Sequence, residues 1–182
     1  MQKEFPKINA ALLKRQQLLS STEEIVEVKD LIFVNPDNKE ADFENYFQSR
    51  SFYGTDKEIK ELEESIKDNG ILEFLIVCKE GEKYRVLEGN RRSYVLTKIL
   101  EKEPNYSTPS GFTLSKVPVK ITKHPDDIIK TAITKWQMAF PQATEDELQE
   151  CKEHVTSEVY AVYNKEALHR NTQRKEWTWL EQ

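Results

Sequence analysis

The sequence is organised around one stretch, Tyr84-Arg85-Val86-Leu87-Glu88-Gly89-Asn90-Arg91-Arg92-Ser93-Tyr94-Val95-Leu96. Its first four residues have the composition of a short strand, and the apolar residues from Val95 onward recur with helical spacing. Gly89 permits a sharp turn between the two elements, and Asn90 is a residue type that often caps a helix N-terminus. The stretch therefore predicts a strand, a tight turn and a helix with Asn90 as its N-cap.

Two cations, Arg91 and Arg92, follow this turn immediately. A helix N-terminus carries partial positive charge, so each cation there opposes the helix dipole by about 0.3–1 kcal/mol. A bound anion would remove the conflict, because backbone amides, a glycine and two guanidinium groups can converge on one set of phosphate oxygens. We therefore predict a phosphate site formed by Gly89, Asn90, Arg91 and Arg92. The plainer alternative is a structural turn with solvated arginines.

The motif resembles the ParB/sulfiredoxin superfamily, whose members carry a Gly-x-x-Arg element between a strand and a helix. ParB proteins usually read GERRxRA at this place, whereas this chain reads GNRRSYV and keeps Gly89, Arg91 and Arg92. The preceding Glu88 is similar to the acidic residue of the DGQHR and DGQQR variants in DNA-modification and phage-defence relatives. Sulfiredoxins place their reactive cysteine where this chain has Asn90, so we do not expect their redox chemistry.

The resemblance covers residues 24–122 and includes the upstream runs 62–66, 69–72 and 75–77. It implies an α+β fold of mixed type, in which helices flank a small sheet, and it places Gly70 near the same pocket. We expect three segments: an N-terminal helix or arm at 1–21, a ParB/sulfiredoxin-like domain at 22–122, and an added C-terminal helical segment at 123–182.

A second, weaker resemblance lies at the end of the chain, where Asn171 and Arg174 match the Asn and Arg of the ParB motif "aLiENiqRedLsplE". In ParB-like proteins this motif helps to hold a nucleoside triphosphate and its magnesium. The resemblance thus implies CTP or ATP with Mg²⁺ as cofactors, Asn171 as a metal ligand and Arg174 as a nucleotide contact. Arg170 stands where ParB proteins have glutamate, so ParB-type hydrolysis would need another carboxylate, such as Glu88.

Local patterns predict several of the remaining elements. Capping-box sequences start helices at Thr55 and Thr144, and Pro125 opens a further helix. The strand at 117–121 contains Pro118, which indicates an edge strand or the start of a strand. Cys151 and His154 have a metal-ligand spacing, but no second pair of soft ligands completes a four-coordinate site.

The composition limits the classes of function. The 182 residues carry a formal net charge of −5, which argues against a generally basic nucleic-acid binder. Contact with DNA through another domain or a local basic patch is left open, as is a homodimer. Two cysteines do not make a disulfide framework, and no apolar run is long enough for a membrane span. We expect a cytoplasmic protein without membrane contact.

Three functions remain open. The first is a ParB-like nucleotide-binding domain in a DNA-associated process such as segregation, mobile-element function or phage defence. The second is an NTP-dependent enzyme that uses Glu88 as its catalytic carboxylate, either a kinase of the free-serine type or a nuclease. The third is a non-catalytic interaction module that docks through the N-terminal arm or the terminal Trp177 and Trp179.

Overall fold

The computed structural model describes residues 4–37 and 53–163, and all structural statements below refer to these two ranges. A mixed five-stranded sheet forms the centre of the fold, with the strand order β1-β5-β3-β4-β2. β1 pairs antiparallel with β5, and β3 with β4, whereas the β3–β5 and β2–β4 pairs are parallel. The strands are β1 (Thr22–Glu27), β2 (Leu31–Ile32), β3 (Leu75–Glu80), β4 (Lys83–Glu88) and β5 (Lys116–Thr122).

Five α-helices surround this sheet within the described ranges. They are α1 (Ala10–Leu19), α2 (Asp56–Asn69), α3 (Asn90–Lys102), α4 (Pro125–Ala139) and α5 (Glu145–Tyr163). Both predicted capping boxes are confirmed, because the Thr55 hydroxyl accepts the Glu58 N–H at 3.3 Å and the Thr144 hydroxyl accepts the Glu147 N–H at 3.1 Å. Each glutamate also accepts the N–H of its threonine. The five-stranded sheet and the five helices together form the mixed α+β fold expected from the sequence.

The sheet has an apolar core on each face. Alternation along a strand sends neighbouring side chains to opposite faces, so Val77 joins one core and Cys78 the other. α2 and α3 cover the first face, with Leu96 and Ile99 almost fully buried. α4 and α5 cover the second face. The result is a three-layer arrangement of helices, sheet and helices.

The second core draws residues from all three segments expected from the sequence. Phe5 and Ile8 of the N-terminal arm pack there with Leu87 of β4 and with Trp136 of α4. The Trp136 indole N–H donates to the Glu4 carbonyl oxygen at 3.1 Å. His154 of α5 donates through Nε2 to the carbonyl oxygen of Pro6 at 2.9 Å. The N-terminal arm is thus fastened to the helices that follow the sheet.

The structure corrects one prediction about β5. β5 lies between β1 and β3, so the edge position inferred from Pro118 is wrong. Pro118 is the third residue of the strand and pairs with Ile25 of β1, while pairing with β3 begins only at Val119. Pro118 therefore precedes the residues of β5 that pair with β3, so its missing N–H removes no hydrogen bond to β3. The alternative of a strand start is the one that agrees with the structure.

None of the helices in the described ranges combines the length and apolar character needed to cross a bilayer.

Candidate phosphate-binding site at the Gly89 turn

The site lies where β4 passes into α3. The β3–β4 hairpin delivers Glu88 to the end of β4, and Gly89 then turns the chain with φ 108° and ψ 20°. A Cβ atom at this glycine would overlap Cδ2 of Leu75, a fully buried residue of β3. Only glycine meets both requirements without strain, because it tolerates positive φ and has no side chain to collide with the core.

The structure also corrects the role predicted for Asn90. Gly89, not Asn90, is the N-cap of α3, and Asn90 is the first helical residue. The left-handed Gly89 turns the chain one residue earlier than expected, which carries the Asn90 side chain into the interior. There it is 6% exposed, and its Oδ1 accepts the Val34 N–H at 3.0 Å. Asn90 therefore fastens the segment after β2 to the base of α3.

No side chain within residues 4–37 and 53–163 caps the N-terminus of α3. The first N–H groups of any α-helix lack acceptors within the helix, and a Ser, Thr, Asp or Asn cap normally satisfies one or more of them. In α3 a glycine occupies the cap, and the Ser93 hydroxyl donates to the Gly89 carbonyl oxygen at 2.8 Å rather than accepting an N–H. The positive end of the helix dipole thus lacks a side-chain acceptor.

The two arginines after the turn are held by main-chain oxygens. Arg92 donates through Nη1 to the Glu73 carbonyl oxygen at 2.9 Å, and Arg91 donates through Nη2 to the Glu58 carbonyl oxygen at 3.5 Å. Arg91 Nε is buried and makes no hydrogen bond in the described part of the chain. Neither arginine forms an ion pair with a described carboxylate. Two guanidinium groups without a direct ion pair among the described residues therefore lie next to a helix end that no described side chain caps.

Burial lowers the pKa of Arg92, and the nearby charges of Glu73 and Glu88 oppose this effect. The Arg92 side chain is partly buried, so its guanidinium is partly removed from water. Charge-assisted hydrogen bonds strengthen when water is excluded, so an anion at this position would interact more strongly than with a solvated arginine.

Glu88 has a partner that the sequence did not indicate. Its Oε1 lies 3.4 Å from Nζ of Lys14 on α1, and both side chains are about half exposed, at 46% and 47%. Exposed ion pairs contribute roughly 0–1 kcal/mol, so this contact does not fix Glu88 rigidly. No local pattern reveals the pair, because Lys14 and Glu88 lie on two elements, α1 and β4, that are far apart in the sequence.

Gly70, predicted to line the same pocket, is the C-cap of α2 with φ 74°. The atoms nearest to a Cβ added there belong to Thr108 and Leu114, at 3.8 and 4.0 Å. Glu73, three residues later, is the residue that contacts Arg92. A direct role for Gly70 in ligand binding remains a prediction. Asn171, Arg174, Arg170 and the terminal tryptophans lie outside the described residues, and their predicted roles are likewise unchanged.

α3 also fastens the segment that follows β2. Tyr53 donates its hydroxyl to the Val34 carbonyl oxygen, and Tyr94 donates to Oδ2 of Asp37 at 2.9 Å. Lys98 Nζ lies 2.6 Å from the same carboxylate oxygen. Hydrogen bonds from Lys98 and Tyr94 lower the pKa of Asp37. These contacts hold the residues on either side of the range 38–52 against the first turns of α3.

A separate polar cluster joins β3, β4 and the start of α4. Arg85 makes a bidentate pair with Glu80, with Nε and Nη2 donating at 3.0 and 2.9 Å. His124 Nδ1 accepts the Asp126 N–H as the cap of α4, so its Nε2 carries the proton and donates to Glu80 at 3.0 Å. Burial raises the pKa of Glu80, but the hydrogen bonds and charges of Arg85 and His124 together lower it. This cluster ties the hairpin to α4.

Comparison with known proteins finds relatives of the segment that contains the Gly89 turn. Residues 38–104 match the family model of the ParB N-terminal domain. A probable chromosome-partitioning protein ParB from Borreliella burgdorferi is 54% identical over 35 residues, which are 19% of this chain and 14% of that protein. The chromosome-partitioning protein ParB of Myxococcus xanthus is 44% identical over 45 residues, 25% of this chain and 15% of that protein.

The matched segment, which contains the Gly89 turn, belongs to the ParB/sulfiredoxin superfamily. Within that superfamily it is similar to the N-terminal domain of ParB proteins. The matches to the two curated relatives span only 14% and 15% of their lengths.

Two solved structures are similar to this chain at low sequence identity. One is the C-terminally truncated chromosome-partitioning protein ParB from Caulobacter crescentus complexed with CTP-gamma-S. It has a TM-score of 0.38 and 17% identity, and the match covers 68% of this chain and 55% of that chain. The other is a Pnob8-like ParB-N domain, with a TM-score of 0.40, 13% identity and coverage of 86% and 52%.

Proposed function

We propose that this chain binds a nucleoside triphosphate, CTP or ATP, at the Gly89 turn. The observation that carries the proposal is the pair of arginines, which main-chain oxygens hold beside an uncapped helix N-terminus without a described carboxylate partner. Two cations near the positive end of a helix dipole are electrostatically unfavourable, and a bound polyphosphate would neutralise both the cations and the helix end. The family match over residues 38–104 supports the same reading.

Each residue of the turn has a distinct role in this proposal. Gly89 lets the phosphate approach the backbone, and the first-turn N–H groups of α3 donate to its oxygens. Arg91 supplies a buried Nε that lacks an acceptor in the described part of the chain, and Arg92 supplies a partly desolvated guanidinium whose direction Glu73 fixes. Asn90 acts indirectly, because its amide holds the loop at Val34 and not the ligand.

Magnesium would accompany the triphosphate. Mg²⁺ prefers oxygen ligands and is usually held by one or two protein groups together with phosphate oxygens. Glu88 offers a half-exposed carboxylate at the turn, which suits that chemistry. Asn171 remains the other proposed ligand and Arg174 a proposed nucleotide contact. For the whole protein we propose a DNA-associated process of the partitioning type, since the curated relatives are chromosome-partitioning proteins.

A thermal-shift series with CTP, ATP, GTP and ADP, each with and without Mg²⁺, tests the proposal. A ligand present at about 100 times its dissociation constant stabilises the folded state by about 2.7 kcal/mol, or roughly 5–10 °C for a chain of this size. Arg92→Ala should abolish the shift, whereas Arg15→Ala, which removes an exposed arginine of α1, should retain it. Absence of a shift with every nucleotide would refute the proposal.

Glu88 favours a second candidate, an NTP-dependent enzyme. Its carboxylate lies next to the turn and is solvent-accessible, so it can orient or deprotonate an attacking hydroxyl once phosphate is bound. Glu88→Gln should then abolish nucleotide consumption while the thermal shift persists. If the wild-type protein binds a nucleotide and never consumes it, the enzyme reading fails and a nucleotide-binding domain remains.

A further inference from the structure

The N-terminal helix α1 brings a third cation, Lys14, to the end of β4. Its Nζ lies 3.4 Å from Oε1 of Glu88, the last residue of β4, and Gly89 follows Glu88 directly. Lys14 precedes residues 38–104, which match the family model, so the match does not include it. The contact therefore joins α1 to the proposed nucleotide site from outside the matched segment.

The packing of α1 fixes where Lys14 lies. Leu13 packs against the second core, and Gln17 is only 7% exposed. The Gln17 side chain makes a hydrogen bond with the Tyr163 hydroxyl at the end of α5. Lys14 follows Leu13 directly and lies three residues before Gln17, so it shares a helix face with Gln17 while its own side chain is about half exposed. Buried contacts thus hold α1 in place independently of the exposed pair between Lys14 and Glu88.

Without Lys14, the formal charges of four residues around the turn cancel. Arg91 and Arg92 supply two positive charges, and Glu73 and Glu88 supply two negative charges. Both carboxylates lie close enough for their charges to raise the pKa of Arg92 against the effect of burial. A triphosphate at the turn would therefore meet repulsion from Glu88 as well as attraction from the arginines. Lys14 offsets the charge of Glu88 and leaves one positive charge in excess.

We propose that Lys14 is the counter-ion that neutralises Glu88 and so allows a triphosphate to bind at the Gly89 turn without a divalent cation. This inference rests on the proposed nucleotide site and assigns part of that site to the N-terminal arm. Mg²⁺ held by Glu88 would supply the same neutralisation, so the lysine matters most when the metal is absent. An exposed ion pair contributes little to folding stability, so a substitution of Lys14 changes the local charge and leaves the fold intact.

Isothermal titration calorimetry of the full-length chain with CTP and ATP in EDTA tests this role. Lys14→Gln should weaken binding about three- to tenfold, because the charge of Glu88 is then no longer offset. Arg15→Gln is the matched control, since it removes one positive charge from the next exposed position of α1 and should change binding less than about twofold. Lys14→Arg keeps the charge and should bind like the wild type. All three variants should keep the urea midpoint of the wild type.

A double variant shows whether Lys14 acts through Glu88. In the background of Glu88→Gln there is no carboxylate to neutralise, so the further change Lys14→Gln should alter binding in EDTA less than about twofold. A lysine that contacts the phosphate directly would keep its full effect in that background. An undiminished effect of Lys14→Gln in the Glu88→Gln protein would therefore overturn the proposed role.

The same titrations with Mg²⁺ separate this inference from the nucleotide proposal. If the wild type binds neither nucleotide with or without Mg²⁺, the nucleotide site is wrong and the role of Lys14 is wrong with it. If the wild type binds only with Mg²⁺, the nucleotide site stands and Lys14 is not a sufficient counter-ion. Equal dissociation constants for Lys14→Gln and Arg15→Gln in EDTA would likewise refute only the role of Lys14.

Discussion

Gly89→Ala is the sharpest test of the turn geometry, because two separate costs add at this position. A non-glycine residue in a left-handed conformation costs about 1–2 kcal/mol. The new methyl group would also overlap Cδ2 of Leu75, which has no exposed surface and cannot move outward. Overpacking a close-packed core costs about 1–3 kcal/mol. We expect the free energy of unfolding to fall by roughly 2–5 kcal/mol.

Gly111→Ala separates the two costs. Gly111 has a similar backbone conformation, with φ 92°, but no atom lies within 4 Å of the Cβ that alanine would add. Its substitution should therefore cost only the conformational part, about 1–2 kcal/mol. Urea denaturation of the wild type and both variants measures the difference, which reports the overlap with Leu75 alone.

A double variant provides the second check. Leu75→Val removes the atom that the Gly89→Ala methyl would strike, so the two changes together should destabilise less than the sum of their separate effects. A coupling of about 1–3 kcal/mol is expected. If Gly89→Ala and Gly111→Ala lose the same stability, and the double variant is additive, the close approach of the turn to β3 is incorrect.

Three further predictions concern the framework around the site. The pKa of Glu80 is lowered in the folded protein, so the stability that its charged form contributes is complete above the unfolded pKa of about 4.5 and is lost as the pH falls. The difference in unfolding free energy between the wild type and Glu80→Gln should therefore shrink between pH 7 and pH 3, which urea titrations would measure. Thr55→Ala removes the N-cap of α2 and should lower the free energy of unfolding by about 0.5–2 kcal/mol, and Thr144→Ala should have a similar effect at α5. Thermal unfolding measures both losses, and an unchanged midpoint in both variants would contradict the capping boxes. Burial raises the pKa of the Cys78 thiol to about 12 and also raises that of Cys151. A thiol reagent at pH 8 should therefore label neither cysteine before the protein unfolds. Rapid labelling of the native protein would contradict the burial of these two thiols.

The sequence predicted the parts of this fold that short-range patterns encode. The capping boxes and the helix after the turn each depend on residues within a few positions of one another, so spacing and turn chemistry reveal them. The position of Pro118 in an interior strand was not predictable in this way. It depends on where β3 begins to pair, which no residue near Pro118 specifies.

The candidate site shows the same division. The turn and its arginines stand out in the sequence because they oppose the dipole rule within a few residues. The contact of Asn90 with Val34 joins residues 56 positions apart, and Lys14 of α1 contacts Glu88 at the end of β4. Such partners become visible only when the tertiary structure is known. The misplaced N-cap had a local cause, since the positive φ at Gly89 lets the helix begin at Asn90, one residue earlier than an Asn90 cap implies.

The hydrogen bonds from Trp136 to Glu4 and from His154 to Pro6 span 132 and 148 residues. During translation, residues 4–8 therefore leave the ribosome roughly 7–30 s before Trp136 and His154 at ordinary elongation rates. Throughout that interval Phe5 and Ile8 have no permanent cover, which makes the nascent chain a candidate client for chaperones. The slowest contacts to form are also the ones that close the second core.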